Sequence, residues 1–112
     1  MKKVLFILLI GFVWAGCTKE KEEAIPECIQ DRLMSFETNE ACPSGASLKK
    51  YTFQGNRVFA FNPGGCIADG TIEIISENCE VLGFLGGITG ETEINGIDFD
   101  LNAVDDGYVW TN

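Results

Sequence analysis

The 112-residue sequence contains no histidine. The commonest general base, proton shuttle and zinc ligand are therefore absent, and none of its serines can be activated by an imidazole. Cationic side chains are scarce: eight Lys and Arg stand against 17 Asp and Glu, for a net charge of −9, and none occurs after Arg57. Phosphate binding needs clustered basic residues, so the balance excludes a nucleic-acid partner. Long apolar runs are also missing. The one uninterrupted stretch, Val4 to Trp14, has eleven residues, too few to span a bilayer as a helix. At this length the chain holds at most one domain. Five cysteines are present, an odd number that calls for a separate role for one of them.

The start of the chain supplies that role. Lys2-Lys3 precedes the apolar run, and the small residues Ala15-Gly16 follow it, directly before Cys17. This order is that of a secretory signal peptide over residues 1–16. Val13-Trp14-Ala15-Gly16-Cys17 resembles the lipobox of bacterial lipoproteins, with Trp14 where leucine is usual. The resemblance implies that Cys17 carries lipid on its sulfur and becomes the mature N-terminus. Removing residues 1–16 leaves 96 residues and takes two lysines with it, so six basic residues face 17 acidic ones and the net charge is −11. Thr18 to Glu23 has no apolar side chain and cannot bury enough surface to fold. Residues 17–24 are accordingly read as a lipidated cysteine with an acidic, flexible tether. A lysine followed by acids just after the cysteine also resembles a surface-export signal. The implied location is the bacterial outer membrane, at the cell surface or its periplasmic face.

Cys28, Cys42, Cys66 and Cys79 remain, an even set in an exported chain, where disulfides are the default. Four cysteines allow three pairings. Local closure favours Cys28–Cys42 with Cys66–Cys79, each loop of about fifteen residues contributing about 3 kcal/mol. The spacings of 13, 23 and 12 intervening residues contain no metal-binding C-x₂-C pair.

From Pro26 the apolar period is helical: Ile29, Leu33 and Phe36 fall at i, i+4 and i+7. Pro26 and Glu27 suit a helix start. Asn39 to Ser47, with Pro43 and Gly45, reads as loop. After Leu48 the period becomes two. Tyr51 and Phe53 alternate with polar residues, Gly55-Asn56 breaks the run, and Val58 to Phe61 resumes it, a hairpin signal. An even loop puts Tyr51 and Phe53 on the Val58–Ala60 face and an odd loop on the Phe59–Phe61 face; the residues alone leave both open. Further strands are expected at Thr71–Ile75, Val81–Leu85, Ile97–Ala103 and Tyr108–Trp110, with turns at Ser76–Asn78 and Asp105–Gly107. The expectation is an α+β domain over residues 25–112: one N-terminal helix, then a meander of five to six short antiparallel strands, with two disulfides.

Several segments together resemble a domain of unknown function found in small bacterial lipoproteins. They are Ile25-Pro26-Glu27-Cys28-Ile29 with Phe36, Tyr51-Thr52-Phe53-Gln54-Gly55 with Val58-Phe59-Ala60-Phe61, and Gly65-Cys66-Ile67-Ala68-Asp69. Cys79 before Leu82-Gly83 and Leu85-Gly86-Gly87 with Ile94-Asn95-Gly96 complete the likeness. The resemblance runs from about Ile25 to the C-terminus, supports the four-cysteine framework and implies no activity.

Candidate sites are few. Asp98, Asp100 and Asn102 supply oxygens at alternate positions, with Asp105 and Asp106 close behind, as at the start of a calcium loop. Ala103 and Val109 stand where such a loop needs glycine and glutamate, so a strand with a solvated acidic face, and Ile97, Phe99 and Leu101 inward, is the better reading. Gly83, Gly86, Gly87 and Gly90 have no basic partner for a phosphate and read as conformational glycines. Among the nine mature aromatics, Tyr51, Tyr108 and Trp110 are the best candidates for an exposed binding anchor. The function expected is a non-catalytic binding or interaction module at the outer membrane. Its partners would be the membrane, through lipid on Cys17, and an envelope protein or glycan, with no cofactor, metal or nucleic acid. Two alternatives stay open: a carboxylate hydrolase of envelope sugars or peptides, and a calcium-dependent structural domain.

Overall fold

The computed structural model describes residues 24–112. The expected signal peptide, Cys17 as the expected lipid site, and the expected tether up to Glu23 lie outside the described residues. Helix α1 (Glu27–Asn39) starts at Pro26, whose carbonyl accepts from the Ile29 and Gln30 N–H groups at 3.0 and 3.1 Å. Its expected stripe is the buried one: Ile29 and Phe36 are fully enclosed and Leu33 packs beside them.

Strands β1 (Ser47–Phe53), β2 (Asn56–Asn62), β3 (Thr71–Ser76) and β4 (Val81–Gly86) form successive antiparallel hairpins. Phe53 pairs with Asn56 across Gln54-Gly55. The loop is therefore even, and Tyr51 and Phe53 share the face of Val58 and Ala60. Both turn residues have positive φ, 54° and 80°, the requirement of a type I′ hairpin whose twist matches the strands. The chain then makes a short ladder, β5 (Glu93–Ile94) with β6 (Ile97–Asp98), one helical turn α2 (Phe99–Asn102), and a long strand β7 (Ala103–Thr111).

β7 does not extend the meander beyond β4. It returns to pair with β1, giving the order β4-β3-β2-β1-β7. The domain is thus one helix followed by a five-stranded antiparallel sheet and a separate two-stranded one, not a simple meander. Asn112 helps hold the returning end: its side chain accepts from the Ala46 N–H at 2.9 Å and donates to the Cys42 carbonyl at 2.8 Å. The expected strand Ile97–Ala103 is interrupted because Asp98 caps a helical turn, its carboxylate accepting from the Leu101 N–H at 2.9 Å. Phe99 turns inward while Leu101 is 84% exposed, against the inward position expected for Leu101. The expected turn at Asp105–Gly107 is instead a bulge inside β7. There the register shifts opposite Lys49–Tyr51 and Asp105 accepts from the Gly107 N–H.

Both faces of the sheet are covered, so four consecutive residues of β2, Val58 to Phe61, are buried. Phe59, Phe61, Leu48 and Ile75 face α1. Val58, Ala60, Phe53 and Ile74 face the β5–β6 ladder and α2, through Ile94 and Phe99. Gly83 lets that ladder approach, since a Cβ there would lie 2.8 Å from Ile94 Cδ1.

The bridges differ from the favoured local pairing. Cys28 joins Cys79, linking the start of α1 to the β3–β4 turn, and Cys42 joins Cys66, linking the α1–β1 loop to the β2–β3 loop. The reason is rigid geometry. Cys28 and Cys42 stand at opposite ends of α1, whose twelve residues from Cys28 to its end span roughly 16 Å, against the roughly 7 Å that a disulfide tolerates between Cα atoms. β3 separates Cys66 from Cys79 in the same way.

Candidate functional site

Strand alternation decides which candidate aromatics can act together. Tyr51 on β1 and Tyr108 on β7 lie on the sheet face away from α1, on either side of Lys49. Trp110 does not join them: it points to the α1 face and packs edge-on against Phe36, centroids 6.0 Å apart at 84°. The anchor surface is therefore two tyrosines and a lysine, and Trp110 belongs to the core.

Lys49 organises this surface. Its ammonium lies 4.8 Å from the centre of the Tyr108 ring and 5.6 Å from that of Tyr51, and bonds Asp105 at 2.5 Å. Cation–π attraction and an ion pair thus hold one cation among three partners. Tyr51 is backed by Phe99, edge-on at 5.0 Å, which in turn meets Phe53 at 4.9 Å. Tyr108 remains 62% exposed. The result is an exposed phenol ring whose neighbours are packed from behind. Lys49, which carries no local mark in the sequence, is the residue that assembles it. Its place among alternating tyrosines on paired strands is invisible until β7 is known to return beside β1.

The electrostatics follow from the contacts. Hydrogen bonding to Lys49 and to the Gly107 N–H holds the Asp105 carboxyl below its usual value, and the same bond to Asp105 raises Lys49. Burial raises the Tyr51 phenol, opposed by Lys49 and reinforced by Asp105 and Asp100. A group whose folded pKa is raised stabilises the fold below its unfolded value, and that contribution is lost as pH rises through the folded value. The chain has two tyrosines, so Tyr108→Phe isolates Tyr51. Phenolate absorbance of that variant is expected to show a midpoint above the ordinary 10.0; a midpoint at or below it contradicts this environment.

The five candidate calcium ligands are dispersed. Asp98 caps α2, and the Asn102 amide donates to the Asp98 carbonyl. Asp100 is exposed on α2. Asp105 is paired with Lys49, while Asp106 lies on the opposite face, accepting from Thr52 Oγ1 at 2.7 Å. Among the described residues no group of three His, Cys, Asp or Glu is placed to hold a metal ion.

One pair of acids does converge, in a groove between α1 and the β3–β4 edge. Glu40 and Glu73 approach Arg32 at 2.9 and 2.6 Å, with the guanidinium 5.0 Å above the Phe61 ring. The cation between them ties both carboxylates to a structural role across the α1–sheet seam. At the other end of β2, Arg57 bonds Glu77 at 2.9 Å and the Ala24 carbonyl at 3.2 Å. It fixes the point where the preceding chain reaches the domain, on the α1 face.

No curated protein and no solved structure matches the chain. Residues 34–112 match the family described as "Domain of unknown function (DUF6970)", a span that begins midway along α1. It includes Cys42, Cys66 and Cys79 but not Cys28, the partner of Cys79. Matched over most of its length, from Met34 to Asn112, the chain belongs to the DUF6970 family.

Proposed function

We propose that the protein is a lipid-anchored, non-catalytic binding module of the bacterial outer membrane, held through lipid on Cys17 and presenting the Tyr108–Lys49–Tyr51 surface to an envelope protein or glycan. The observation that carries this reading is the placement of the two ends of such a device on opposite faces of one sheet. Arg57 holds Ala24 on the α1 face, whereas Tyr108 and Lys49 lie on the other. Ala24 lies seven positions after Cys17, a reach of at most about 25 Å when extended. A chain anchored on the α1 side turns the tyrosine surface away from the bilayer. The Lys49–Asp105 ion pair, the Lys49 cation over Tyr108 and the rings behind Tyr51 limit the freedom of this surface before a partner arrives, which reduces the ordering cost of binding.

Anchoring is tested in cells making the full chain and fed an alkyne-bearing fatty acid. The wild type is expected to take up the label and sediment with outer membranes, and Cys17→Ala to lose the label. An unlabelled wild type overturns the lipid anchor. A photo-crosslinking side chain at position 108 is expected to capture an envelope component that the same group at exposed Met34, on the α1 side, does not. Equal capture at both positions overturns the assigned surface.

A further inference from the structure

Three hairpin turns meet at one end of the sheet: Gln54-Gly55 between β1 and β2, the Glu77–Glu80 turn between β3 and β4, and Asn95-Gly96 between β5 and β6. They border a cleft of about 480 Å³ floored by Phe53, Val58, Leu82 and Ile97, within the range of roughly 300–1,000 Å³ usual for ligand sites. Its rim is amide-rich. Gln54, Asn78 and Asn95 line it together with the Glu80 carboxylate, and none of these four side chains makes a hydrogen bond among the described residues.

The amides are also held in place by the backbone. Asn95-Gly96 has φ values of 55° and 80°, nearly those of Gln54-Gly55. Two positive-φ turns of the same kind thus each carry an amide at their first position, on tight hairpins. The third turn is fixed by the Ser76 hydroxyl, which accepts from the Asn78 and Glu80 N–H groups at 3.2 and 3.1 Å, and by the Cys28–Cys79 bridge.

We propose that this cleft is a carbohydrate site taking one or two neutral sugar residues. Charge decides against an anion: among the described residues the one cation lining the cleft, Arg57, is bonded to Glu77 and to the Ala24 carbonyl, while the Glu80 carboxylate has no cation beside it. Amide groups both donate and accept, as sugar hydroxyls do, and a carboxylate accepts from them. The apolar floor suits the C–H face of a pyranose ring. The site is separate from the tyrosine surface, and it deepens the binding-module reading by naming a glycan as ligand.

The test uses the full mature chain in a detergent without a sugar headgroup. It is titrated with maltose, cellobiose, lactose and N,N′-diacetylchitobiose while side-chain amide NMR signals are followed. At least one disaccharide is expected to shift the Gln54, Asn78 and Asn95 signals saturably, in the millimolar range. Asn95→Gly keeps the positive-φ turn and removes only the amide; it and Asn78→Ala are each expected to weaken binding about fivefold with an unchanged melting temperature. Tyr108→Ala is expected to bind as the wild type does. Absence of any saturable shift, or undiminished affinity in both amide variants, overturns the proposal. Either failure leaves the Cys17 and position-108 experiments to be judged on their own results.

Discussion

Reduction of the two disulfides is expected to unfold the domain at physiological temperature. The bridges close loops with sequence separations of 51 and 24, and the second lies wholly inside the first. On the chain-entropy account the inner bridge contributes about 3.5 kcal/mol. The outer one contributes about as much again, since the inner bridge has already shortened its loop to about 27 residues. A loss of about 7 kcal/mol matches or exceeds the stability usual for a small domain. Thermal melts with and without reductant should show a cooperative transition only in the oxidised protein. A reduced protein melting within a few degrees of the oxidised one contradicts the ledger. Peptide mapping without reduction should recover Cys28 joined to Cys79 and Cys42 joined to Cys66; recovery of Cys28 with Cys42 contradicts the fold.

Phe36→Ala is expected to be the most damaging single core truncation, at about 3–5 kcal/mol in urea denaturation. Phe36 is 1% exposed. It meets Phe61 edge-on at 5.1 Å and Trp110 at 6.0 Å, and Arg32 lies 5.9 Å from its ring centre. One ring therefore joins the helix to the central strand, to the returning edge strand and to the cation clamped by Glu40 and Glu73. Few neighbours can collapse into the space it leaves, because the bridge at each end of α1 limits how far the helix can move. Phe84→Ala is the matched control. Phe84 is 47% exposed on edge strand β4, and its truncation is expected to cost under about 1 kcal/mol. Similar losses for the two would contradict the assignment of Phe36 to the load between layers.

The tyrosine surface shows how much of the binding reading was open to the residues alone. Tyr51 and Tyr108 are recognisable as amphipathic rings suited to a wet rim, but so is Trp110, and only the alternation of β7 in register with β1 separates them. Lys49 carries no local mark at all. Its role comes from meeting Asp105 and Tyr108, more than fifty residues along the chain. The amide cleft was equally hidden, for Gln54, Asn78 and Asn95 are ordinary turn residues until three turns share one end of a sheet. The misplaced disulfides are a different matter. The helix read between Cys28 and Cys42 already forbade that pairing, since a rigid rod holds its ends apart, and the local-closure preference was too small to weigh against it: doubling a loop costs only about 0.6 kcal/mol.

What the sequence by itself determined is local. It specified helix α1 from the spacing of Ile29, Leu33 and Phe36, the β1–β2 hairpin from period-two runs broken at Gly55, the β3–β4 hairpin from short strands on either side of Ser76–Asn78, and an acidic, histidine-free surface. These rest on residues within a few positions of one another, where propensity and turn chemistry act directly. Only the tertiary structure decided which cysteines pair, that β7 returns beside β1, that Asp98 caps a turn in place of a continuous strand, and which aromatics remain exposed. Each of those depends on burying both faces of one sheet at once, a condition set by contacts distant in the chain that no short window of residues contains.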